Sequence, residues 1–303
     1  MKKTFKKISN PMKNKLQNNL KYYIQLSRFD KPIGWWLLFI PCIYSLTLSS
    51  VKYNIYPNLY LIFLFLIGSI IMRAVGCIFN DIIDRKIDVK VERTKNRPLA
   101  SKKITLLEAL LLISILSLIG LLILLQFNDL TVVIGLCSII TIIIYPFMKR
   151  ITYWPQLFLG IAFNWGALVG WTSVGGSISI EMLFIYLACL FWTLGYDTIY
   201  GYQDIEDDKK IGIKSTSRLF GKDTKLHIWF FYFIKYFLLT AALYLVNVNI
   251  ISYCLLAMAM MYTLQLIKNV DIKDPNSCAI FFNKNRNIGL INILAISLSI
   301  FLG

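Results

Sequence analysis

Nine long apolar stretches constrain this chain more than any other feature of its sequence. Each is close to the ~20 residues that a helix needs to cross the hydrocarbon core of a membrane. Charged residues make up only 16% of the chain, whereas a soluble domain carries about a quarter. The stretches lie at residues 33–51, 57–79, 105–125, 131–147, 156–174, 182–201, 228–246, 249–267 and 287–302. We therefore predict an all-α polytopic membrane protein, with one domain of nine transmembrane helices at 23–303 behind a basic cytoplasmic tail at 1–22.

The basic residues predict how this bundle is oriented. A topology with a cytoplasmic N-terminus places 29 of the 32 Lys and Arg residues on the cytoplasmic side, as membrane proteins prefer. Lys52 lies on the other side, and Arg73 and Lys235 lie inside spans. The net charge of +16 is thus mostly an orientation signal. It favours membrane lipid headgroups and a phosphorylated substrate as partners and argues against nucleic acid.

The tail and the cysteines bear on the compartment. The first 31 residues are rich in Lys and Asn, with little of the Arg and Ser typical of a mitochondrial transit peptide. We expect a bacterial cell inner membrane, with the mitochondrial inner membrane as the less favoured choice. The six cysteines form no C-x-x-C pair and His227 is the only histidine. This pattern argues against a disulfide framework, a zinc site or a histidine-based triad.

The acids form two rows, each at the cytoplasmic end of a span. If each span continues as a helix into its row, the members of each row share one helix face. The first row contains Asn80, Asp84 and Asp88, and the second contains Asp197, Asp204 and Asp208. Solvated loop charges are the alternative explanation, but two similar rows four spans apart argue against it.

Paired rows of oxygen atoms predict a particular chemistry. Two facing rows of carboxylates repel each other, and a divalent cation removes that repulsion. Oxygen ligands suit Mg²⁺, which takes only one or two carboxylates and fills its shell with water and substrate phosphates. The rows therefore predict Mg²⁺ and a diphosphate substrate.

Basic residues follow both acid rows. Arg93 and Arg97 follow the first row, and Lys214 belongs to a basic loop after the second. Such side chains can bind phosphate oxygens and stabilise a departing diphosphate. The orientation signal explains their side of the membrane but not their position behind the acids.

Arg73 is an unusual residue for a membrane span. It lies seven residues before Asn80 and so shares its helix face. An arginine there needs an anionic partner or a water-filled cavity: either an acid of the protein or the carboxylate of an aromatic acid. Tyr145 and Lys149, one turn apart at the end of the fourth span, point to the same cytoplasmic mouth.

These motifs resemble those of the UbiA prenyltransferase superfamily. The resemblance rests on N-D-x-x-D-x-x-x-D at 80–88, R-T-x-x-R-P at 93–98 and Y-D-x-x-Y-x-x-x-D-x-x-D-D at 196–208. Segments 28–34, 145–156, 212–216 and 285–289 are similar to the branch that acts on 4-hydroxybenzoate in ubiquinone biosynthesis. The likeness extends from about residue 25 to residue 290, nearly the whole chain.

The resemblance implies a helix bundle around a central cavity, capped by cytoplasmic loops and open sideways to lipid. It implies transfer of a polyprenyl group from Mg²⁺-bound polyprenyl diphosphate to the carbon ortho to the phenol of 4-hydroxybenzoate. The implied metal ligands are Asp81, Asp84, Asp88, Asp204 and Asp208, and the implied diphosphate contacts are Arg93, Arg97 and Lys149, with Lys214 as a further substrate contact. The catalytic set would be Asp197, assisting phenol activation or proton removal, with Arg73 and Asn80 positioning the acceptor. Tyr145 and Tyr200 would border the substrates, and Phe163, Trp165 and Tyr200 are candidates for stabilising an allylic cation through their rings.

Two alternatives remain open at this point. A sister enzyme would use haem, a naphthoate or homogentisate as the acceptor. A transporter would also place charges within spans, although here the acids lie at one membrane face.

Overall fold

The computed structural model describes residues 20–302, and no strand occurs in that part of the chain. The predicted tail at 1–22 lies outside the described residues except for its last three. A helical stretch at 20–26 leads into the bundle. The helices are α1 Ile33–Lys52, α2 Leu59–Asp88, α3 Leu106–Leu124, α4 Asp129–Ile151, α5 Pro155–Phe163, α6 Gly166–Gly175, α7 Ile180–Tyr200, α8 Ile205–Ile211, α9 Thr216–Phe220, α10 Thr224–Leu245, α11 Ile250–Asn269 and α12 Pro275–Leu302.

Eight helical segments within residues 20–302 are long and apolar enough to cross a membrane. They are α1, α2, α3, α4, α5 with α6, α7 with α8, α9 with α10, and α11. The last helix, α12, has 28 residues, but its first half carries Lys284, Arg286 and four asparagines. It packs against α1, α7 and α11 as the ninth member of the bundle. The predicted all-α membrane bundle is confirmed.

Helix α2 carries the first acid row as predicted. It begins at a cap in which the Asn58 side chain accepts a hydrogen bond from the Tyr60 backbone N–H at 2.8 Å. It then runs for 30 residues to Asp88, nine beyond the predicted apolar stretch. The first row is therefore a helix face at the C-terminal end of α2.

The prediction of one continuous helix through the second row is wrong. Helix α7 ends at Tyr200, and residues Gly201–Asp204 form a 3₁₀ turn before α8. The Ser217 hydroxyl donates to the Thr198 carbonyl at 2.6 Å, and a Cβ at position 201 would lie only 2.5 Å from that hydroxyl. Glycine at 201 therefore lets the segment of α9 approach the end of α7, where the α-helix is interrupted. Asp197, Asp204 and Asp208 nevertheless border the same cavity.

The fifth span is broken between α5 and α6. Asn164 lies at the break and donates to the Gly160 carbonyl at 2.8 Å and to the Thr193 hydroxyl at 2.7 Å. Beyond it, Gly170 approaches α1 so closely that a Cβ would lie 2.3 Å from the carbonyl oxygen of Cys42. Gly166, four residues earlier, also lies against Cys42, so this G-x-x-x-G pair allows close packing of α6 on α1.

Candidate active site

Two adjoining cavities lie at the C-terminal ends of α2, α4 and α7. The smaller, of about 240 Å³, is called the acidic cavity here. The larger, of about 800 Å³, is called the central cavity and is also bordered by residues 25–34. Both cavities are bordered by Asn80, Arg93, Arg97, Tyr145, Leu159 and Asp197. The two spaces are therefore neighbours with a common wall.

The acidic cavity brings together four of the five predicted metal ligands: Asp84, Asp88, Asp204 and Asp208. Asp84 is fully buried and forms ion pairs with Lys149 and, at 3.2 Å, with Arg150. The first acid row therefore faces the basic end of α4, and Arg150 is a cation that the sequence reasoning did not single out.

The loop that follows α2 pairs with both rows. Arg97 lies 3.0 Å from Asp88, and Arg93 forms a two-pronged ion pair with Asp204 and donates to the Tyr200 hydroxyl at 3.1 Å. Burial lowers the pKa of Arg93, but the hydrogen bonds and negative charge of Asp204 outweigh it, so its pKa lies above the usual value. Arg93 thus stays charged, and it links the loop that follows the first acid row to Asp204 of the second.

Asp197 and Asp208 differ from the other acids of the acidic cavity. Neither side chain has a hydrogen bond or an ion pair within residues 20–302, and both are partly accessible. Asp197 borders both cavities. These two carboxylates are free to bind a ligand or a proton without first breaking a pair.

The donor set suits Mg²⁺ better than a metal held by protein alone. Within the described chain, no group of three or more His, Cys, Asp and Glu side chains could hold a metal ion. The acids that border the acidic cavity offer oxygen only, and basic residues lie among them. Mg²⁺ commonly takes one or two carboxylates and completes its shell with water and phosphate oxygens, so the residues fit Mg²⁺ that arrives with a phosphorylated ligand.

Asp81 borders the central cavity but not the acidic cavity, and it is 2% exposed. Its two oxygens accept hydrogen bonds from Arg28 at 2.9 and 2.7 Å, and one also accepts from Arg97 at 3.1 Å. The same Arg97 nitrogen lies 3.0 Å from Asp88. Arg97 therefore joins Asp81 to the first acid row from the side of the central cavity.

Lys214 borders the acidic cavity, as expected for a residue near the substrate. Its backbone N–H donates to the Lys149 carbonyl at 2.9 Å, and its ammonium donates to the Ile151 carbonyl at 2.9 Å. The basic loop after the second acid row is thereby fixed to the end of α4.

The central cavity contains the predicted acceptor residues. Arg73 borders it, with its guanidinium 5.4 Å from the centre of the Phe163 ring. It makes no ion pair within residues 20–302, and its Nε has no hydrogen-bond partner there. Arg73 therefore does not form the structural ion pair with an acid that was the alternative explanation, at least among the described residues. Arg73 instead offers a cation to an open space.

Aromatic rings form part of the central cavity wall. Tyr145 donates to the Gly76 carbonyl at 3.2 Å, and the Tyr200 ring lies 4.3 Å from the ring of Phe282. Phe282 was not singled out by sequence. Trp165 is not brought to the site: its indole donates to the Ile134 carbonyl at 2.8 Å, and it borders a separate apolar cavity.

Comparisons with known proteins identify the family of the chain. The model of the UbiA prenyltransferase family matches residues 38–291. The chain is 43% identical over 281 residues to a mitochondrial 4-hydroxybenzoate polyprenyltransferase of Drosophila melanogaster, covering 92% of this chain and 71% of that one. It is 42% identical over 290 residues to the protein of the same name from Bos taurus, covering 94% and 77%.

Solved structures share the fold. A UbiA homolog from Archaeoglobus fulgidus bound to GPP and Mg²⁺ superposes with a TM-score of 0.67 at 18% identity, covering 92% of this chain and 99% of that chain. The apo structure of a UbiA homolog from Aeropyrum pernix gives 0.66 at 22% identity, covering 88% and 97%.

Proposed function

Because the chain belongs to the UbiA prenyltransferase family, we propose that it transfers a polyprenyl group from polyprenyl diphosphate to the ring carbon ortho to the phenol of 4-hydroxybenzoate, releasing diphosphate in ubiquinone biosynthesis. The names of the 40–48% identical relatives support this acceptor. The observation that carries the proposal is the common wall of the two cavities. Asn80 and Asp197 stand between a space lined with acids and bases and a space containing Arg73.

The charges around the acidic cavity support a metal-bound diphosphate. Five aspartates and four basic residues border it. A diphosphate ester, with about three negative charges, would meet an already negative lining unless a divalent cation came with it. We assign Asp84, Asp88, Asp204 and Asp208 as the side chains that would hold Mg²⁺. When bound, Mg²⁺ would supply charge stabilisation for the departing diphosphate.

The basic residues have a second task in this scheme. Arg93, Arg97 and Lys149 now pair with acids of the two rows. With diphosphate bound they turn toward its oxygens, and Lys214 adds a fourth cation. Arginine forks suit phosphate oxygens, and charge that develops on the leaving group is stabilised by cations already in place.

The acceptor lies on the other side of the common wall. Arg73 binds the carboxylate of hydroxybenzoate and Asn80 orients the ring. The allylic C–O bond of the donor breaks, diphosphate leaves, and the ring carbon ortho to the phenol forms the new C–C bond. Asp197, with no partner of its own, accepts the proton that the ring or the phenol gives up. The Tyr145, Tyr200 and Phe163 rings limit water around the allylic cation.

The location follows from the fold and the acceptor. The chain is a multi-pass membrane protein. We propose an inner membrane, with the site on the side that holds the basic loops. The relatives are named as mitochondrial, whereas the Lys- and Asn-rich tail favours a bacterial cell, and fractionation of the native host distinguishes the two.

Product formation tests the proposal. Membranes containing the chain receive 4-hydroxybenzoate, a polyprenyl diphosphate and Mg²⁺, with and without EDTA. We expect a prenylated hydroxybenzoate that disappears with EDTA. A naphthoate, homogentisate or haem product in its place would identify a sister enzyme. Product formed in detergent, where no gradient exists, would exclude a transporter, and no product with any acceptor from folded protein would refute the proposal.

A further inference from the structure

Residues 25–34, called the strap here, form one continuous part of the central cavity wall. The strap joins the helical stretch at 20–26 to α1, and seven of its residues border the cavity. Its course is unusual at Arg28, whose φ of 56° lies in the left-handed region that residues other than glycine rarely adopt. Such a conformation persists where surrounding contacts hold it.

Those contacts lead from Arg28 to one buried acid. One nitrogen of its guanidinium donates to the Gln25 and Leu26 carbonyls at the end of the helical stretch. Its Nη2 donates to both oxygens of Asp81, whose side chain is almost completely buried. Arg28 therefore ties the strap to α2 at the position directly after Asn80.

The other end of the strap contacts the acceptor arginine. Gly34 lies against Arg73, where a Cβ would come within 2.4 Å of Nε and 3.1 Å of Cζ. Because Nε has no hydrogen-bond partner within residues 20–302, the guanidinium is held there mainly by shape. The strap thus runs from a pinned point beside Asn80 to the side chain that faces the acceptor.

We infer that Asp81 and Arg28 are positioning residues: their ion pair holds the strap as the wall that places Arg73 for the acceptor, and Asp81 is not a metal ligand. This inference rests on the proposed function for its substrate but not for its geometry. It explains why Asp81 faces a different cavity from the other four acids, and why two arginines satisfy its oxygens.

Kinetics separate the two roles of Asp81. In Asp81→Asn and Arg28→Met, we expect KM for hydroxybenzoate to rise roughly 10- to 100-fold, because small displacements of a positioning group have effects of that size. In Arg28→Met, which leaves the contacts of Arg97 intact, KM for the polyprenyl diphosphate and the Mg²⁺ concentration for half-maximal activity should stay within about twofold. Asp81→Asn also weakens the contact with Arg97, so a change in donor KM beyond that of Arg28→Met measures this second contact. The double variant should be no worse than Asp81→Asn alone, since Asp81→Asn already weakens the contact with Arg28, and Arg28→Lys should restore part of the loss.

Gly34→Ala tests the other end of the strap without touching any charge. The added Cβ displaces the Arg73 guanidinium, so KM for hydroxybenzoate should rise here too while KM for the donor stays. Glu181→Gln is the matched control for Asp81→Asn. Glu181 is another buried acid in an ion pair, with Lys52, and it lies away from both cavities.

A second readout does not depend on catalysis. Cys77 borders the central cavity and is 7% exposed. Labelling by a small water-soluble thiol reagent, followed at the Cys77 peptide by mass spectrometry, should become at least about threefold faster in Asp81→Asn and Arg28→Met, because a released strap opens the wall. Cys77→Ser sets the background.

The outcomes decide the inference. Weaker Mg²⁺ dependence and donor binding in Asp81→Asn, with unchanged hydroxybenzoate KM and unchanged labelling, would make Asp81 a metal ligand and overturn it. If the unaltered chain gives no product with hydroxybenzoate, the proposed function fails, and the labelling rates alone decide whether the pair holds the strap.

Discussion

Neutralising Asp84 tests the acidic cavity most directly. Asp84 is fully buried between Lys149 and Arg150, which are 24% and 41% exposed. Removing one partner of a fully buried pair costs about 3–5 kcal/mol. Since both cations keep contact with solvent, we expect Asp84→Asn to lose only about 1–2 kcal/mol of stability. The variant should therefore fold.

Its turnover should fall far more than its stability. Losing one fixed electrostatic group at a reacting centre lowers kcat by about 10²–10³-fold, or about 2.7–4 kcal/mol. The assay is the rate of prenyl transfer at saturating substrates and several Mg²⁺ concentrations, with thermal unfolding measured on the same samples. Higher Mg²⁺ should recover part of the rate if the lost group holds the metal.

Glu181→Gln provides the control for this experiment. Glu181 is 6% exposed and pairs with Lys52 at 2.7 Å, so the substitution removes a similar buried ion pair away from both cavities. We expect a similar loss of stability with near-normal turnover. Near-normal turnover in folded Asp84→Asn would refute the assignment of the acidic cavity. A loss of turnover in Glu181→Gln as large as that in Asp84→Asn would refute it as well.

Three further predictions follow from the site and the packing. Arg73→Met should raise KM for hydroxybenzoate, measured by initial rates, by about tenfold or more. Lys235→Met, which removes a second cation from within a span, should leave this KM unchanged; equal effects of the two variants would contradict the role of Arg73 in binding the acceptor. Gly170→Ala should lower the free energy of unfolding by about 1–3 kcal/mol, because the added Cβ meets the Cys42 carbonyl. Gly68→Ala, whose Cβ would have its nearest neighbour at 3.7 Å, should hardly change the free energy of unfolding. Thermal unfolding measures both, and a larger loss in Gly68→Ala would contradict the packing. A polyprenyl diphosphate at about 100 times its Kd should stabilise the protein by about 2.7 kcal/mol with Mg²⁺ and hardly at all with EDTA; stabilisation that EDTA leaves unchanged would refute metal-bound binding.

The sequence predicted features that depend on neighbours along the chain. Span positions, the orientation signal and the helical first acid row all follow from local hydropathy and helix geometry. The second row failed for a tertiary reason. Gly201 is the local sign of a helix end, but at the interruption the Thr198 carbonyl accepts a hydrogen bond from Ser217, which belongs to a later helix.

Contacts between distant segments were beyond sequence reasoning. Arg28 and Asp81 are 53 positions apart, and Arg150 and Asp84 are 66 apart. No periodicity joins such residues. Arg28 did lie in a segment that carried the family resemblance, which is the one signal that pointed to it. The resemblance grouped Asp81 with the metal ligands, and motif spacing alone does not say that Asp81 borders a different cavity from the other four acids.

The pairing of acids with bases lets so many charges lie close together. Asp84, Asp88 and Asp204 each have a cationic partner, so the two rows do not repel each other without a ligand. In the proposed mechanism Mg²⁺ and diphosphate bind together: the acids would turn to the metal and the cations to the phosphates, so every charge would keep a partner. Such an exchange would make the binding of donor and metal mutually dependent. It would leave Asp197, which has no ion-pair partner within residues 20–302, for the proton of the acceptor.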